Sequence, residues 1–244
     1  RCCMLRAVSG EPGAASQAGL SPVQREQGFF LPCVCRASVD LTVAKPTDAV
    51  ASASGVIERI DALGRDVARV LVRTREPFEH RAGQFVNLVR ADGLARSYSL
   101  ADTPGEGRTL EFHVRRLPGG RMSSWLCNDA RPGDEVGVRG PYGECHYQSE
   151  NADEEIVLIG VGTGLAPLLG VLRDALSRGH RGAITLFHGA RDPGGLYLVD
   201  DLRAVERAHG NVAYLPCVLA GDEAPGLHVG PVDGAVRARF PSLA

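Results

Sequence analysis

The sequence has no surplus of basic residues. Lys and Arg together number 27 against 29 Asp and Glu, a formal net charge of −2, and this leaves no electrostatic case for a nucleic-acid or anionic-membrane partner. It has no intact membrane span either. The uncharged run Ile156–Leu172 is interrupted by Gly160, Gly162, Gly164, Pro167 and Gly170, so a strand, a glycine turn and a helix explain it better. No signal peptide is visible, and a cytoplasmic location is expected; the chain opens on Arg1, not Met, and reads as a fragment already inside a domain. No small secreted scaffold surrounds the seven cysteines, so they read as reduced thiols or metal ligands and not as a disulfide framework. No nucleophile triad or general acid–base pair stands out.

What is present is ordinary in bulk. With 244 residues, 44% apolar and 23% charged, the chain is long enough for more than one domain. Thirty glycines and fifteen prolines predict many turns. Residues 1–43 hold four cysteines, a short helix over Leu20–Gln27 with Ser21 as N-cap and Pro22 at its first position, an extended return over Phe29–Cys33 and a last strand at Leu41–Val43. The small, polar stretch 44–54 reads as a linker. Short alternating strands follow at Val56–Ile60, Val67–Val72, Phe85–Val89, Leu110–Arg115 and Glu135–Arg139, with one short helix near Gly119–Cys127, and they predict an antiparallel Greek-key barrel over 55–150. From residue 151 the pattern changes to strand–helix alternation, a doubly wound α/β domain with strands at Ile156–Gly160, Ala183–His188 and Val212–Leu219 and helices at Leu168–Leu176 and Asp200–Ala208.

The most informative stretch is Arg96-Ser97-Tyr98-Ser99-Leu100. On a strand, Arg96 and Tyr98 share one face, which offers a cation, a flat ring and nearby hydroxyls to a phosphate-bearing planar ligand. Downstream, Gly119-Gly120-Arg121-Met122-Ser123 precedes a helix, where bare amides and the helix dipole suit an anion. A second glycine turn, Gly160-x-Gly162-Thr163-Gly164-x-Ala166-Pro167, lies between a strand and a helix; Leu165 stands where a G-x-G-x-x-G fingerprint needs its third glycine.

Together these motifs resemble the ferredoxin–NADP reductase superfamily, and the domain order resembles the reductase components of bacterial mono- and dioxygenases. The resemblance implies that Arg96 pairs with an FAD phosphate, Tyr98 packs on the isoalloxazine and Ser99 hydrogen-bonds near its N5, so Tyr98 and Ser99 are the candidate catalytic residues. It places Ser97, His113, Val114 and Arg115 along the flavin, and Gly120, Arg121, Met122 and Ser123 at its pyrophosphate. Gly162, Thr163, Gly164, Ala166 and Pro167 are implied at a nicotinamide coenzyme, with Arg191 at the adenosine end. Arg191 favours a 2′-phosphate and Asp192 a free hydroxyl, so NADH and NADPH stay open, with NADH the family's habit.

Residues 1–43 resemble the C-terminal part of a plant-type 2Fe–2S ferredoxin, a β-grasp α+β module, with Cys3 and Cys33 as two cluster ligands and two more expected upstream. The family's closing Cys-Gly segment has no match before Ala244. The resemblance thus implies passage of electrons from NAD(P)H through FAD and a 2Fe–2S cluster to an oxygenase or another one-electron acceptor. A nucleotide-binding module without turnover, or a plain flavin reductase, remains an alternative at this point.

Overall fold

The computed structural model describes residues 4–18, 20, 22–44, 51–105, 107–148 and 151–241. It divides into two units, Arg1–Ser52 and Ala53–Ala244.

The first unit is a three-stranded antiparallel sheet in which β1 (Leu5–Ser9) lies between β2 (Phe29–Phe30) and β3 (Thr42–Ala44). A single 3-10 turn (Ala14–Gln17) and α1 (Pro22–Glu26) lie between β1 and β2, and Leu20 and Phe30 are its buried apolar side chains. The chain leaves α1 through Gly28, whose φ of +77° suits glycine alone and whose amide bonds the Arg25 carbonyl. The expected extended return is shorter than the sequence suggests: it ends at Phe30, and Pro32–Val34 is a turn because Val34 N bonds back to Leu31 O. Cys33 is exposed on that turn and Cys35 is half-buried. Cys3 and the N-cap Ser21 lie outside the described residues.

The linker is also shorter than expected. Ala44 still belongs to β3 and β4 (Ser52–Ala62) begins before residue 54. Its small residues are strand residues: Ser54 O accepts from Arg75 N, and Gly55 faces Thr74, where a Cβ would stand 2.8 Å from Arg73 O.

The second unit opens with six strands: β4, β5 (Val67–Thr74), β6 (Phe85–Val89), β7 (Ala95–Ser99), β8 (Thr109–Arg115) and β9 (Glu135–Tyr142), in the order β7-β6-β9-β4-β5-β8. The registers of β4 with β5, β5 with β8, and β6 with β7 and β9 are antiparallel, and a bridge between Leu100 and Phe112 joins the two outer strands. Alternation fills the interior: Ile57, Val70, Val72, Val86, Leu88, Leu110, Phe112, Val114 and Val138 are buried there. α2 (Arg121–Ser124) runs into a π-helical turn over Trp125–Asp129, and its Met122 and Leu126 plug the same core.

The second half is a parallel sheet of β10 (Ile156–Val161), β11 (Ile184–Ala190), β12 (Val212–Val218) and β13 (His228–Val229), in that order. The two-residue β13 has too little apolar alternation to be seen in sequence. α3 (Leu165–Ser177) and α4 (Val199–Ala208) cover one set of apolar residues, and α5 (Val232–Arg239) covers another at Phe187 and Cys217. α3 begins at Leu165, earlier than the expected Leu168, after one 3-10 turn over Gly162–Gly164. Pro167 falls in the first helical turn, where its missing N–H has no partner to lose.

α3 meets the barrel backbone to backbone. A Cβ on Gly170 would stand 3.1 Å from Gly83 N, 3.2 Å from Asp102 O and 3.3 Å from Leu100 O. Gly83 itself has φ +91°, and a Cβ there would run into Cys145 O, with Val171 Cγ2 at 2.8 Å and Pro167 O at 3.1 Å. These two glycines bring the helix after the glycine turn onto the strands that carry Arg96–Ser99.

No described helix is long and apolar enough to cross a membrane.

Candidate functional site

β7 arises where Ala95–Ser99 pairs with β6, and its register sets which side chains face inward. Tyr98 lies opposite Val86 and Arg96 opposite Leu88, both core residues, so Arg96 and Tyr98 do share a face. Tyr98 packs on the barrel core, and burial pushes its phenol up to about 12, so it stays protonated. Arg96 is exposed at the mouth; Nη1 donates to Ala95 O at 2.7 Å and no carboxylate pairs with it among the described residues. Ser97 faces the other way and donates its hydroxyl to Asn87 Oδ1 at 2.7 Å.

A cavity of 490 Å³ opens beside this strand. Arg96, Ser97, Tyr98 and Ser99 form one wall, His113 and Arg115 a second, Gly119–Ser123 with Leu117 a third, and Thr163 and Ala166 a fourth. The hydroxyls of Ser99 and Thr163 make no hydrogen bond among the described residues. Gly119 has φ +70° with nothing within 4 Å of a Cβ, so the backbone conformation alone calls for glycine. Ser123 shapes the loop after it: its hydroxyl accepts from Leu117 N at 3.2 Å and donates to Gly120 O at 3.3 Å. Of the three guanidiniums on the cavity, Arg121 meets Asp92 at 3.2 Å and Arg115 meets Asp66 at 3.2 Å, which leaves Arg96 as the one without a carboxylate.

Val114 is not on this wall. It faces the barrel interior at 0% exposure, because β8 alternates and Leu110, Phe112 and Val114 all point inward. His113 points outward, its ring enclosed: Nε2 lies 3.0 Å from Glu111 Oε1 and Nδ1 lies 3.1 Å from the Tyr197 hydroxyl. No motif marks Leu117, whose place on the cavity follows only from the loop geometry.

A second cavity, of 300 Å³, lies at the ends of β10, β11 and β12 and is lined by Gly162, Gly189, Arg191, Gly195 and Cys217 among others. Cys217, in β12, is buried and also borders this cavity. Of the glycine-turn residues, Thr163 and Ala166 face the first cavity and Gly162 the second, whereas Gly164 and Pro167 line neither. Arg115 lines both cavities, and its Nη1 stands 3.0 Å from where a Cβ on Gly162 would be; the φ of +56° at Gly162 is the backbone conformation that favours glycine.

Asp192 is engaged from the barrel. Arg65, in the β4–β5 turn, reaches its carboxylate at 3.1 Å, and together with the Gly195 and Gly194 amides it holds Asp192 below the ordinary carboxylate range. This is the physical reason the opposed signals of Arg191 and Asp192 cannot be weighed from sequence, for Arg65 is 127 residues away.

His188 is fully buried in β11, with Nδ1 3.2 Å from the Tyr214 hydroxyl and Nε2 lacking a hydrogen-bond partner among the described residues. Burial pushes its pKa down from 6.5 to about 4. The folded chain therefore binds this proton more weakly than the unfolded one, and stability falls as the pH drops from 6.5 toward 4, by about 3 kcal/mol for this group. Thermal melts across that window are expected to show a steeper acid limb in the wild type than in His188→Gln; equal limbs would rule the effect out.

The comparisons with known proteins follow this division of the site. Residues 54–147 match a model described as oxidoreductase FAD-binding domain, and residues 158–243 one described as oxidoreductase NAD-binding domain. The chain is 36% identical over 248 residues to the reductase subunit of an aromatic O-demethylase from Amycolatopsis sp., covering 96% of this chain and 74% of that protein. The chain belongs to the ferredoxin–NADP reductase family. Another member, the reductase component DmpP of a phenol 2-monooxygenase from Pseudomonas sp., is 30% identical over 98% of this chain and 71% of its own length. Among solved structures, the Amycolatopsis cytochrome P450 reductase GcoB superposes with a TM-score of 0.74 at 34% identity, over 98% of this chain and 75% of that one. Like other family members, the chain is an oxidoreductase with an antiparallel FAD-binding β domain and a parallel-sheet NAD-binding domain.

Proposed function

We propose that this chain is the reductase component of an oxygenase system, passing electrons from NAD(P)H through FAD to a 2Fe–2S cluster and on to a partner oxygenase. The relatives named above, each a reductase subunit or component, support the reading. The observation that carries it is the meeting of two cavities, one in each lobe, at Arg115 and the Gly162–Thr163 turn.

The residues of the first cavity fit FAD. Arg96, without a carboxylate partner among the described residues, and Arg121 hold the phosphates, together with the amides of Gly120, Met122 and Ser123. Tyr98 offers its ring face, and the Ser99 and Thr163 hydroxyls are left for the ligand. When bound, the flavin accepts two electrons as a hydride and releases them singly. Gly162 and Arg191 hold the nicotinamide coenzyme in the second cavity, and Arg115 spans both. Tyr98 and Ser99 orient the reacting ring and keep water from its face.

For residues 1–43 we propose a plant-type ferredoxin module, supported by the small antiparallel sheet and by Cys33 on an exposed turn after β2. Cys33 is the ligand within the described residues, and no group of three metal-binding side chains converges among them. The described residues alone do not complete a cluster site.

The test is flavin content. Purified protein is expected to be yellow and to release one FAD per chain on heating. Colourless protein that does not take up FAD would overturn the assignment.

A further inference from the structure

We propose that Tyr197 is a positioning residue that transmits occupancy of the coenzyme cavity to the wall of the flavin cavity. The inference rests on the reading of the two cavities given above.

Tyr197 belongs to the nucleotide lobe and stands two residues after Gly195, which lines the second cavity. Its side chain is buried and reaches across to the barrel. The hydroxyl lies 3.1 Å from Nδ1 of His113, a residue of the first cavity's wall. The ring stands edge-on between two histidines, one from each lobe: His113 at 5.3 Å and 83°, and His188 at 5.3 Å and 86°. His188 is itself followed by Gly189, Ala190 and Arg191, all on the second cavity.

The proton order across this seam is set by its ends. Burial opposes charge on Glu111, but the His113 hydrogen bond and Arg173, 3.3 Å away, outweigh it and hold the carboxylate below its ordinary range. His113 Nε2–H therefore donates to Glu111, and Nδ1 stands at hydrogen-bond distance from the Tyr197 hydroxyl, which burial keeps protonated. Removing the hydroxyl takes away the one group that fixes the other side of this ring.

The backbone beside Tyr197 adds an independent observation. Leu198 has φ +55°, the only positive value at a non-glycine residue among those described. Leucine adopts this conformation at a cost, and such strain persists where surrounding structure over-determines it. Here it turns the chain from the Pro193–Gly195 turn into α4 while driving Tyr197 into the seam. A ligand that shifts Gly195 thus moves a wedged side chain, not a free loop.

The experiment uses ADP, which lacks the nicotinamide and has no redox chemistry. Added to the FAD-loaded wild type, ADP is expected to give a saturating difference spectrum in the flavin visible band. In Tyr197→Phe, calorimetry should report ADP affinity within about threefold of wild type, while the amplitude of the flavin difference spectrum falls at least about fivefold. Full amplitude in Tyr197→Phe, or no flavin signal in a wild type that binds ADP, overturns the proposal alone. A wild type that holds no FAD or binds no ADP overturns the reading of the cavities and the proposal with it. If Tyr197→Phe does not fold, the imidazole nitrogen resonances of His113 in the wild type decide: they are expected to shift on ADP addition, and unmoved resonances overturn the proposal.

Discussion

Arg96→Ala is expected to weaken FAD binding by about ten- to a hundredfold, the factor that corresponds to losing one charge-assisted hydrogen bond of roughly 1.5–3 kcal/mol. Among the described residues Arg96 has no carboxylate partner and its one hydrogen bond is to a neighbouring carbonyl, so the substitution removes little from the protein itself. Thermal stability of the flavin-free form should therefore stay within about 0.5 kcal/mol of wild type. Arg121→Ala makes the contrast, since Arg121 is already shared with Asp92 and should cost less. Equilibrium titration of the flavin-free proteins with FAD checks both. Equal affinity in wild type and Arg96→Ala would remove the phosphate role from this residue.

Gly83→Ala is expected to have the largest effect on stability of any single methyl addition at the junction between the lobes. The φ of +91° alone costs about 1 kcal/mol for a residue with a Cβ. The added carbon also collides with the Cys145 carbonyl and with Val171 and Pro167 of α3, and crowding of that kind costs about 1–3 kcal/mol more. A total of about 3 kcal/mol lowers the melting temperature by about 6–12 °C in a unit of this size. Because the clash falls on the helix behind the glycine turn, reduction by the coenzyme should slow as well. Gly93→Ala is the control: its φ is +81° but nothing lies within 4 Å, so only the conformational cost remains. Calorimetric melts of the two variants separate strain from collision, and equal losses would mean that α3 gives way freely.

Much of the fold is legible in the sequence itself. The barrel strands announce themselves by alternation, as in Leu110–Arg115, because one face is buried and the other is not. The glycine turn is visible as a cluster of glycines between an apolar run and a helix, and Gly162 holds a φ of +56° there. The register that places Tyr98 against Val86 follows from the same alternation. What could not be read is whatever depends on the two lobes meeting. The bond between His113 and Tyr197 joins residues 84 apart, and that between Arg65 and Asp192 residues 127 apart. No local pattern records such pairs. The side chain of Val114 faces the core for a simpler reason: a motif names neighbours along the strand, while the pleat sends alternate ones to opposite faces. The linker reads longer than it is because Ser52–Gly55 is small and polar like a linker, although it belongs to β4, with Gly55 paired to Thr74 and Ser54 O accepting from Arg75 N.

The central claim is that a flavin in the first cavity is reduced by a coenzyme in the second. Anaerobic mixing of the FAD-loaded chain with NADH or NADPH, followed through the flavin visible band, tests it most directly. Bleaching by at least one of the two is expected, slowed by deuterium on the transferred hydrogen. A fully loaded, yellow protein that both coenzymes leave unbleached would contradict it.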